Sequence, residues 1–445
     1  MQEADVLGRS NHDFGVLVGE LELSSALDGT RSSKGYASAD VLIRLHGEPL
    51  GLVTVPIIEN VLLDVEIVER AWITLEEQIK RHCQRDGVRM PAGADDLQPV
   101  ASAACSVRRR YLREHGPMVS IVIPTRDRAE MLVGCLATLL QQDYPRFEII
   151  VVDNAPRSLA TARAVRTDHG ADDRVRYVRE DRAGISFARN RGIAAARGEI
   201  VAFTDDDVRV DPGWLTALAT PFVGDPVVAC ATGLVMPAEM ETRAQRWTEE
   251  FGGFNKGYEP RVWDLRSGDD LLFPYAAGRF GSGQSMAFEA RFLRQTGGFN
   301  TALGIGSPAM GGEDLAAMFG VMISGRRLAY VPDALVWHIH RRDVPSLRRQ
   351  LFTYGVGLSA YLTGCVVERP QRLFDLLPRV PAGIRHLLSS KSAKNARKSA
   401  TYPTHLTLLE LVGFLYGPIA YARGRVRAAH LRRSGAAKSA AGSRP

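Results

Sequence analysis

Cysteine is scarce in this sequence, and the few cysteines present do not form a known zinc or disulfide motif. The 445 residues include five cysteines, an odd number. No two of them are spaced as CxxC; they are Cys83, Cys105, Cys135, Cys230 and Cys365. This distribution argues against a disulfide framework or a zinc ribbon, and it fits the reducing cytoplasm.

The sequence also lacks an apolar N-terminus and a long uninterrupted apolar run. Residues 1–15 are polar, so we predict no signal peptide. The most apolar stretch, 406–423, is interrupted by Glu410 and Pro418 and falls short of the roughly 20 residues that span a bilayer. We expect a buried helix there. The alternative is contact with an anionic membrane surface, helped by the Arg-rich segment 423–433.

The charge is positive but unevenly distributed. The net charge is +6, while the apolar content of 45% and the charged content of 24% are ordinary for a soluble protein. The basic excess lies in residues 341–445. Such a tail serves solubility, anionic lipid or nucleic acid. We predict a cytoplasmic protein, or a peripheral one on the inner face of the cell membrane, and no nucleic-acid partner.

Three regions differ in pattern. Residues 1–116 predict a small α+β accessory module, with strand, turn and strand over 39–57, a helix over 60–85 and a basic linker over 108–118. Residues 117–345 alternate apolar strands with helices. Residues 346–445 predict basic helices with a disordered tail from about 434.

The central region predicts a parallel sheet because its strands alternate with helices. Predicted strands cover 119–125, 148–154, 175–181 and 199–207. The helices between and after them cover 157–168, 185–197 and 211–223. The last helix is expected to have Asp211 at its N-cap and Pro212 at its first position.

Three of these strands end in acidic residues. The carboxyl edge of a parallel sheet is where α/β proteins bind ligands. Asp205, Asp206 and Asp207 end one strand, and in extended chain Asp205 and Asp207 face the same way. Crowded carboxylates repel unless a cation lies between them, so we expect Mg²⁺ or Mn²⁺ with bound phosphates. The alternative is a helix N-cap.

Further polar residues belong to the same predicted edge. Asp153 can accept a hydrogen bond from a nucleobase or ribose. Taken alone, a turn-forming Asp-Asn explains it better, but beside Asp205 on the same sheet edge ligand contact is favoured. Asp181 is a weaker candidate. Arg189 and Asn190 lie where they can reach a phosphate.

Two later motifs carry chemistry as well. Glu313 and Asp314 begin an apolar helix after two glycines, where a carboxylate serves as a general base or merely complements the helix dipole. His338 and His340 lie on one face of a predicted strand and suit a metal or a phosphate.

In this order and spacing, the segments VSIVIPTRDRAEML, EIIVVDN, ARNRGIAAARGEIVAFTDDDVRVDPGWL, GGF, GGEDL and VWHIHR resemble a family 2 glycosyltransferase over about residues 117–345. The resemblance implies an α/β fold of the GT-A type, with a Rossmann-like mixed, mostly parallel sheet. It also implies a nucleotide-diphosphate-sugar donor, a divalent cation and a hydroxyl acceptor that is a glycan, lipid-linked or a small molecule. No QxxRW motif is present, which suggests transfer of one or few sugars.

The resemblance assigns a role to each matching residue. Pro124, Thr125 and Arg126 would line the nucleotide, and Asp153 would read the base. The TDDD run would be the DxD motif, with Asp205 near the ribose and Asp206 or Asp207 on the metal. Asp314, beside Glu313, would be the base, and His338 would approach the metal, with His340 as the fallback.

We therefore expect a metal-dependent inverting glycosyltransferase acting in cell-envelope glycan, glycolipid or secondary-metabolite glycosylation. Two alternatives remain at this stage. One is a nucleotide-sugar or membrane-surface binding module without catalysis. The other is a sugar-1-phosphate nucleotidyltransferase, which should have a glycine-rich loop after its first strand where this chain has IPTRDRAE.

Overall fold

The computed structural model describes residues 15–441 except 26–28, 34, 92, 94–99, 101, 269 and 393, with side chains left out at 30–32 and 435–441. The prediction of no signal peptide in residues 1–15 thus lies outside the described residues, except for Gly15.

The N-terminal module is a three-stranded sheet covered by a long helix. Strand β1 runs parallel to β3, and β3 pairs with β4 in a hairpin. The turn of this hairpin is His46-Gly47, with φ of 52° and 80°, the left-handed conformation that two-residue hairpins require. The elements are β1 (Gly15–Glu22), β2 (Thr30–Ser32), β3 (Tyr36–Leu45), β4 (Glu48–Pro56), β5 (Val61–Leu63), α1 (Asp64–Asp86) and α2 (Ala104–His115).

Helix α2 occupies most of the stretch predicted as a linker, so that prediction was wrong. Leu112 is buried in the core of the central region, and Cys105 is buried at the other end of the helix. The arginines that looked like a flexible basic linker pair with acidic partners instead: Arg113 with Asp143, and Arg108 with Glu48. These contacts, all distant in sequence, explain why the local pattern did not reveal the helix.

The central region holds the elements that position the site. They are β6 (Val119–Thr125), α3 (Ala129–Leu139), β7 (Phe147–Asn154), α4 (Ala160–His169), β8 (Val175–Glu180), α5 (Ile185–Ala195), β9 (Ile200–Phe203), β10 (Val208–Val210), α6 (Trp214–Gly224), β11 (Val228–Pro237), α7 (Arg243–Phe251), β12 (Arg261–Trp263), β13 (Met286–Glu289), α8 (Ala290–Thr296), α9 (Glu313–Ile323) and β14 (Arg327–His338).

One nine-stranded sheet organises this region. Its order is β10-β14-β11-β13-β9-β6-β7-β8, with β12 also paired to β14. Strands β8, β7, β6, β9, β11 and β14 run in one direction, and β13, β10 and β12 run against them. Hydrophobic side chains fill a core on each face of the sheet. The expected α/β class, with a mixed, mostly parallel sheet, is confirmed.

Helix α6 begins later than predicted, because Asp211 has a different partner. Its N-cap is Gly213, not Asp211. One carboxylate oxygen of Asp211 accepts a hydrogen bond from Gly213 N, and the other lies 2.6 Å from Arg44 Nη1 in the N-terminal module. Asp211 therefore joins the two regions.

The C-terminal region is helical, as expected. It contains α10 (Val344–Glu368), α11 (Arg372–Leu376), α12 (Val380–Leu388) and α13 (Thr404–Ala441). Helices α10 and α13 pack side by side in the same direction, with Gly355 against the backbone of Glu410 and Gly417 against Ser359. Helix α13 continues to Ala441, past residue 434, where we expected disorder; residues 442–445 lie outside the described part.

Helices α10 and α13 are each long and apolar enough to cross a membrane, judged by length and composition. The prediction that the apolar run around 406–423 is too short was wrong, because Pro418 is accommodated inside α13 and the helix extends beyond both ends of the run. Half of the apolar window of α10 and 33% of that of α13 are buried within the protein. Core helices of soluble proteins meet the same two criteria.

Candidate active site

The three aspartates lie directly after β9, at the carboxyl edge of the parallel strands. Residues 206 and 207 form a turn, so the chain is not extended there and each side chain meets a different partner. Asp206 accepts a hydrogen bond from Thr125 at 2.7 Å, Asp207 lies 3.5 Å from His338 Nε2, and Asp205 lies 3.5 Å from Arg189 Nη2. The expectation that Asp205 and Asp207 face the same way was therefore wrong.

Arg128 bridges two of these carboxylates, and sequence reasoning missed it. Its Nη1 lies 2.5 Å from Asp206 Oδ1, and its Nη2 lies 3.1 Å from Asp207 Oδ2. Arg128 is the N-cap residue of α3, just past the end of β6. Its position in the TRDR segment could have indicated this pairing. TRDR follows β6, and because β6 and β9 are neighbouring parallel strands, the residues after the two strands lie close together.

The surroundings shift the pKa values of the three aspartates in different directions. Burial raises the pKa of Asp205 to about 7 despite the opposing charge of Arg189, and burial raises the pKa of Asp206 to about 6 despite Arg128. Burial also disfavours the charge of Asp207, but the hydrogen bond and charge of His338, together with Arg128, outweigh it and lower its pKa. Asp207 is thus the carboxylate held in its anionic form.

The two histidines have different partners. His338 ends β14 and faces Asp207, and burial lowers its pKa, although Asp207 opposes this. Its Nδ1 lies 2.9 Å from Nδ1 of His340, whose Nε2 lies 2.7 Å from Glu249 Oε1 on α7. His338 therefore faces the acidic edge, while His340 lies on the far side of His338 and is held there by Glu249.

The groups around Asp207 suit a divalent cation. Carboxylate oxygens of Asp206 and Asp207 and a neutral imidazole nitrogen of His338 are donors that Mn²⁺ accepts, and the oxygens also suit Mg²⁺. The guanidinium of Arg128 already pairs with Asp206 and Asp207, which shows that these carboxylates require a positive charge beside them.

Asp153 lies at the same edge on the neighbouring strand, in register with Thr125. Its Oδ2 accepts a hydrogen bond from the Tyr177 hydroxyl at 2.8 Å, while its buried Oδ1 has no hydrogen-bond partner among the described residues. Burial raises the pKa of Asp153, and the Tyr177 hydrogen bond opposes this. A buried acceptor without a partner is costly unless a ligand supplies the donor. Tyr177 was not identified from the sequence.

Arg189 connects the acidic edge to the start of α9. It is buried on α5, and its guanidinium lies 2.9 Å from Glu313 Oε1 and 3.3 Å from Gly283 O. Burial and Asp314 raise the pKa of Glu313 to about 7, against the effect of Arg189. The carboxylate of Glu313 thus faces Arg189.

Asp314 is the more accessible of the two α9 carboxylates. Its Oδ2 accepts a hydrogen bond from Gly283 N at 3.0 Å. The Gly283 peptide therefore joins Asp314 on one side to Arg189 on the other, and through Arg189 to Asp205. A Cβ at residue 283 would lie 2.7 Å from Arg189 Nη2, which explains the glycine there.

The remaining predicted residues are not brought into this cluster. Asp181 is exposed and pairs with Arg179, and Arg126 is exposed with its Nε 3.9 Å from Asp127. Pro124 is buried within β6. The side-chain amide of Asn190 exchanges two hydrogen bonds with the backbone of Phe299, which fixes the loop before α9 rather than presenting Asn190 to a ligand.

Comparison with known proteins gives a family match over part of the region that carries this cluster. Residues 120–282 match the model of Glycosyl transferase family 2. A glucosyl-dolichyl phosphate glucuronosyltransferase of Haloferax volcanii is 26% identical over 194 residues, covering 42% of this chain and 57% of the relative. A pre-mycofactocin glycosyltransferase of Mycobacterium tuberculosis is 27% identical over 229 residues, covering 51% of this chain and 43% of the relative. The chain thus spans only about half the length of these relatives.

Among solved structures, a mannosyltransferase from Pyrobaculum calidifontis in complex with GDP-Man and Mn²⁺ matches with a TM-score of 0.42 and 20% identity, covering 75% of this chain and 86% of that one. The matched family region begins in β6 and includes the three aspartates after β9. Residues 120–282 are therefore similar to Glycosyl transferase family 2.

Proposed function

We propose that this protein is a metal-dependent, inverting glycosyltransferase, which moves a sugar from a nucleotide-diphosphate sugar to an acceptor hydroxyl. One observation carries the proposal. The acidic residues after β9 and the carboxylate of Asp314 are joined through Arg189 and the Gly283 peptide, so donor and acceptor groups would meet at one edge of the sheet.

The nucleotide would bind across the ends of β6 and β7. Asp153 supports this role because its buried Oδ1 has no hydrogen-bond partner in the described part of the chain and can accept from a nucleobase N–H. The hydroxyl of Thr125 and the carboxylate of Asp205 would face the ribose. Asp181, Asn190 and Arg126 contribute less to this proposal, since none of them contacts the acidic edge.

Asp207, with Asp206 and His338, would hold Mg²⁺ or Mn²⁺. The cation would neutralise charge on the departing diphosphate. Arg128, which pairs with Asp206 and Asp207, is placed to add a second positive charge beside the same oxygens.

Asp314 would accept the proton of the acceptor hydroxyl. The acceptor oxygen would then attack the anomeric carbon from the face opposite the diphosphate, while the bond from that carbon to the diphosphate oxygen breaks. A single displacement inverts the anomeric configuration. Hydrogen bonding from Gly283 N orients the carboxylate for this role, whereas Glu313 serves to keep Arg189 in place.

We also propose that the acceptor is met at an anionic membrane surface, on the cytoplasmic side. Exposed apolar residues recur at intervals of three or four along one side of α13 and along α11–α12. Arginines such as Arg423 and Arg425 follow on α13. The exposed apolar residues are Leu408, Val412, Leu415, Ile419 and Val426 on α13, and Leu373, Phe374, Leu377, Val380, Ile384 and Leu388 in the α11–α12 segment.

The function is tested by release of nucleoside diphosphate from a panel of nucleotide sugars, with Mn²⁺ or Mg²⁺ present. We expect Asp314→Asn to lower turnover by about 10²- to 10⁴-fold, the usual contribution of a general base, while nucleotide-sugar affinity changes little. Isothermal titration with the donor that the screen identifies measures that affinity.

Two further variants make this test specific. Asp207→Ala should lose metal-dependent donor binding, whereas Asp225→Asn, at the opposite edge of the sheet where β11 begins, should behave as the wild type. Full turnover in Asp314→Asn would remove Asp314 from its role. If the wild-type protein releases no nucleoside diphosphate from any donor, with or without acceptors, the proposed function is wrong.

A further inference from the structure

Four potential metal ligands converge in the N-terminal module, outside the candidate active site. They are His46, His82, Asp86 and Cys105, and their ligand atoms all lie within 4.8 Å of one another. His46 is in the turn of the β3–β4 hairpin, His82 and Asp86 are one turn apart on α1, and Cys105 is in the first turn of α2. Three separate elements therefore point side chains at one place.

The distances within the cluster are short. His46 Nδ1 lies 3.0 Å from His82 Nε2, and His82 Nε2 lies 3.2 Å from Asp86 Oδ2. A nitrogen of His82 can give its one proton to only one of these neighbours at a time. A cation would instead accept a lone pair from every member of the cluster.

The carboxylate of Asp86 provides an independent observation. Its side chain is completely buried, and apart from the members of the cluster neither of its oxygens has a hydrogen-bond partner among the described residues. The nearest guanidinium nitrogen, Arg85 Nε, is 3.8 Å away. A buried charge without a closer counter-ion is costly, so such groups are usually paired or bound to a metal. This carboxylate faces both histidines.

A second layer of contacts surrounds the cluster. The other ring nitrogen of His82, Nδ1, lies 3.4 Å from Glu48 Oε2 and 3.0 Å from Arg85 Nη2. A carboxylate behind a histidine orients the ring of many metal ligands. Arg108 lies 2.9 Å from the other oxygen of Glu48, so that carboxylate is itself held in position.

We propose that His46, His82, Asp86 and Cys105 bind a Zn²⁺ ion that fastens the N-terminal module to the central domain. Two imidazoles, one thiolate and one carboxylate are all ligands that Zn²⁺ accepts in a four-coordinate tetrahedral site. The ion is balanced by the two negative charges of Asp86 and Cys105. Its burial and its full set of protein ligands are those of a structural site.

The geometry requires little adjustment. Bonds of about 2.0–2.3 Å in a tetrahedron hold ligand atoms roughly 3.3–3.8 Å apart. His46 Nδ1 and His82 Nε2, 3.0 Å apart, would move apart slightly, and the most distant ligand atoms, up to 4.8 Å apart, would move closer together. Rotations about the side-chain bonds supply both movements.

The site joins segments that the chain itself connects only through residues 87–103. Helix α2 leads into β6, and its Leu112 belongs to the core of the central region. A zinc ion would therefore hold α1 and the hairpin to the helix that enters the catalytic domain.

The test uses the untagged full-length protein, purified without chelator. We expect elemental analysis to find about one zinc per chain, as in other four-ligand structural sites. Cobalt substituted for the zinc should give a thiolate-to-cobalt charge-transfer band and the visible bands of tetrahedral cobalt. Cys105→Ser should lose the charge-transfer band and most of the metal.

Matched variants locate the ion. Cys83→Ser changes another buried thiol on α1 outside the cluster and should keep both zinc and spectrum, and Asp207→Ala should keep its zinc because that carboxylate lies at the other site. Wild-type protein that retains no zinc after loading overturns the proposal. So does wild-type cobalt protein without a thiolate band, a result that does not depend on whether any variant folds.

Discussion

At the scale of single residues, Arg189 is the positive charge that pairs with Asp205 and Glu313 in the candidate active site. Its side chain is only 2% exposed and its nearest carboxylate is that of Glu313. Breaking a buried ion pair by removing one member leaves the other charge uncompensated, which costs about 3–5 kcal/mol. The geometry around Asp205 and Asp314 therefore depends on this arginine.

We predict that Arg189→Met lowers the free energy of unfolding by about 3–5 kcal/mol at neutral pH, because it leaves Glu313 buried without its cation. Arg189 lowers the pKa of Glu313, so its loss raises a pKa already near 7. A carboxyl whose folded pKa exceeds its unfolded value loses stability as the pH rises between the two. The wild type stops losing stability near pH 7, whereas the variant continues to lose it above that pH, so the destabilisation should grow as the pH rises above about 7, measured by urea unfolding.

Arg191→Met is the control for this prediction. Arg191 is exposed on the same helix, two residues further along. Equal destabilisation by the two substitutions would contradict the argument, as would a pH-independent effect of Arg189→Met.

The sequence points to individual polar residues more clearly than to their pairings. Asp153, the three aspartates after β9 and Asp314 stand out because each lies at the end of a recognisable strand or at the start of a recognisable helix. Arg128 and Tyr177 were missed because their partners are far away in sequence. The binding and catalytic roles of all these residues remain predictions.

At the scale of elements, the backbone just before α9 packs directly against the backbone of α10 at glycine residues. Gly312 has φ of 83°, and a Cβ there would lie 2.4 Å from Gly357 O on α10. A Cβ on Gly357 would in turn lie 3.0 Å from the backbone of Gly311. The two backbones touch immediately before Asp314, so the position of α10 determines the position of the proposed base.

We predict that Gly357→Ala lowers turnover by on the order of 10²-fold, because a shift of about 1 Å at the start of α9 misplaces Asp314. Donor binding should change little, since the nucleotide contacts that we propose lie on β6 and β7. Steady-state kinetics with the identified donor measure both effects.

Gly320→Ala is the matched control, because a Cβ at residue 320 of α9 meets nothing within 4 Å. It should leave turnover unchanged and add stability of roughly 0.5–1 kcal/mol, the usual gain from replacing a helical glycine. Normal turnover in Gly357→Ala would show that the contact does not position Asp314.

The elements themselves were largely predictable. The strand expected over 119–125 is β6, and the strands that end near Asp153 and before Asp205 are β7 and β9. These strands are buried on both faces and therefore strongly apolar. Antiparallel β13 was not predicted, because its four residues gain their structure from two neighbouring strands rather than from a local pattern.

At the scale of the whole molecule, α13 and the α11–α12 segment both carry exposed apolar side chains. Leu415 is 78% exposed and Phe374 is 75% exposed. Apolar side chains beside arginines are the composition of segments that lie in a membrane interface.

We predict that the protein co-sediments with vesicles containing anionic lipid, and that Leu415→Glu with Ile419→Glu strongly reduces this binding. Glutamate removes apolar contact and adds repulsion from the anionic surface. Binding should also weaken as salt is raised, because the arginine contribution is screened.

Ile73→Glu provides the control, since Ile73 is 80% exposed but lies on α1 of the N-terminal module. Binding that is equally impaired by both changes, or equally strong to neutral vesicles at high salt, would contradict a specific anionic membrane surface on the C-terminal helices.

The guanidinium of Arg128 has a consequence for how the protein is made. Because Arg128 lies between Asp206 and Asp207, and Arg189 faces Asp205, the acidic edge carries its own counter-ions. This edge of the sheet can then assemble before a divalent cation binds there, and the catalytic ion that we propose would be an addition to a finished sheet. Loading of that site would therefore be separate from loading of the zinc site that we propose in the N-terminal module.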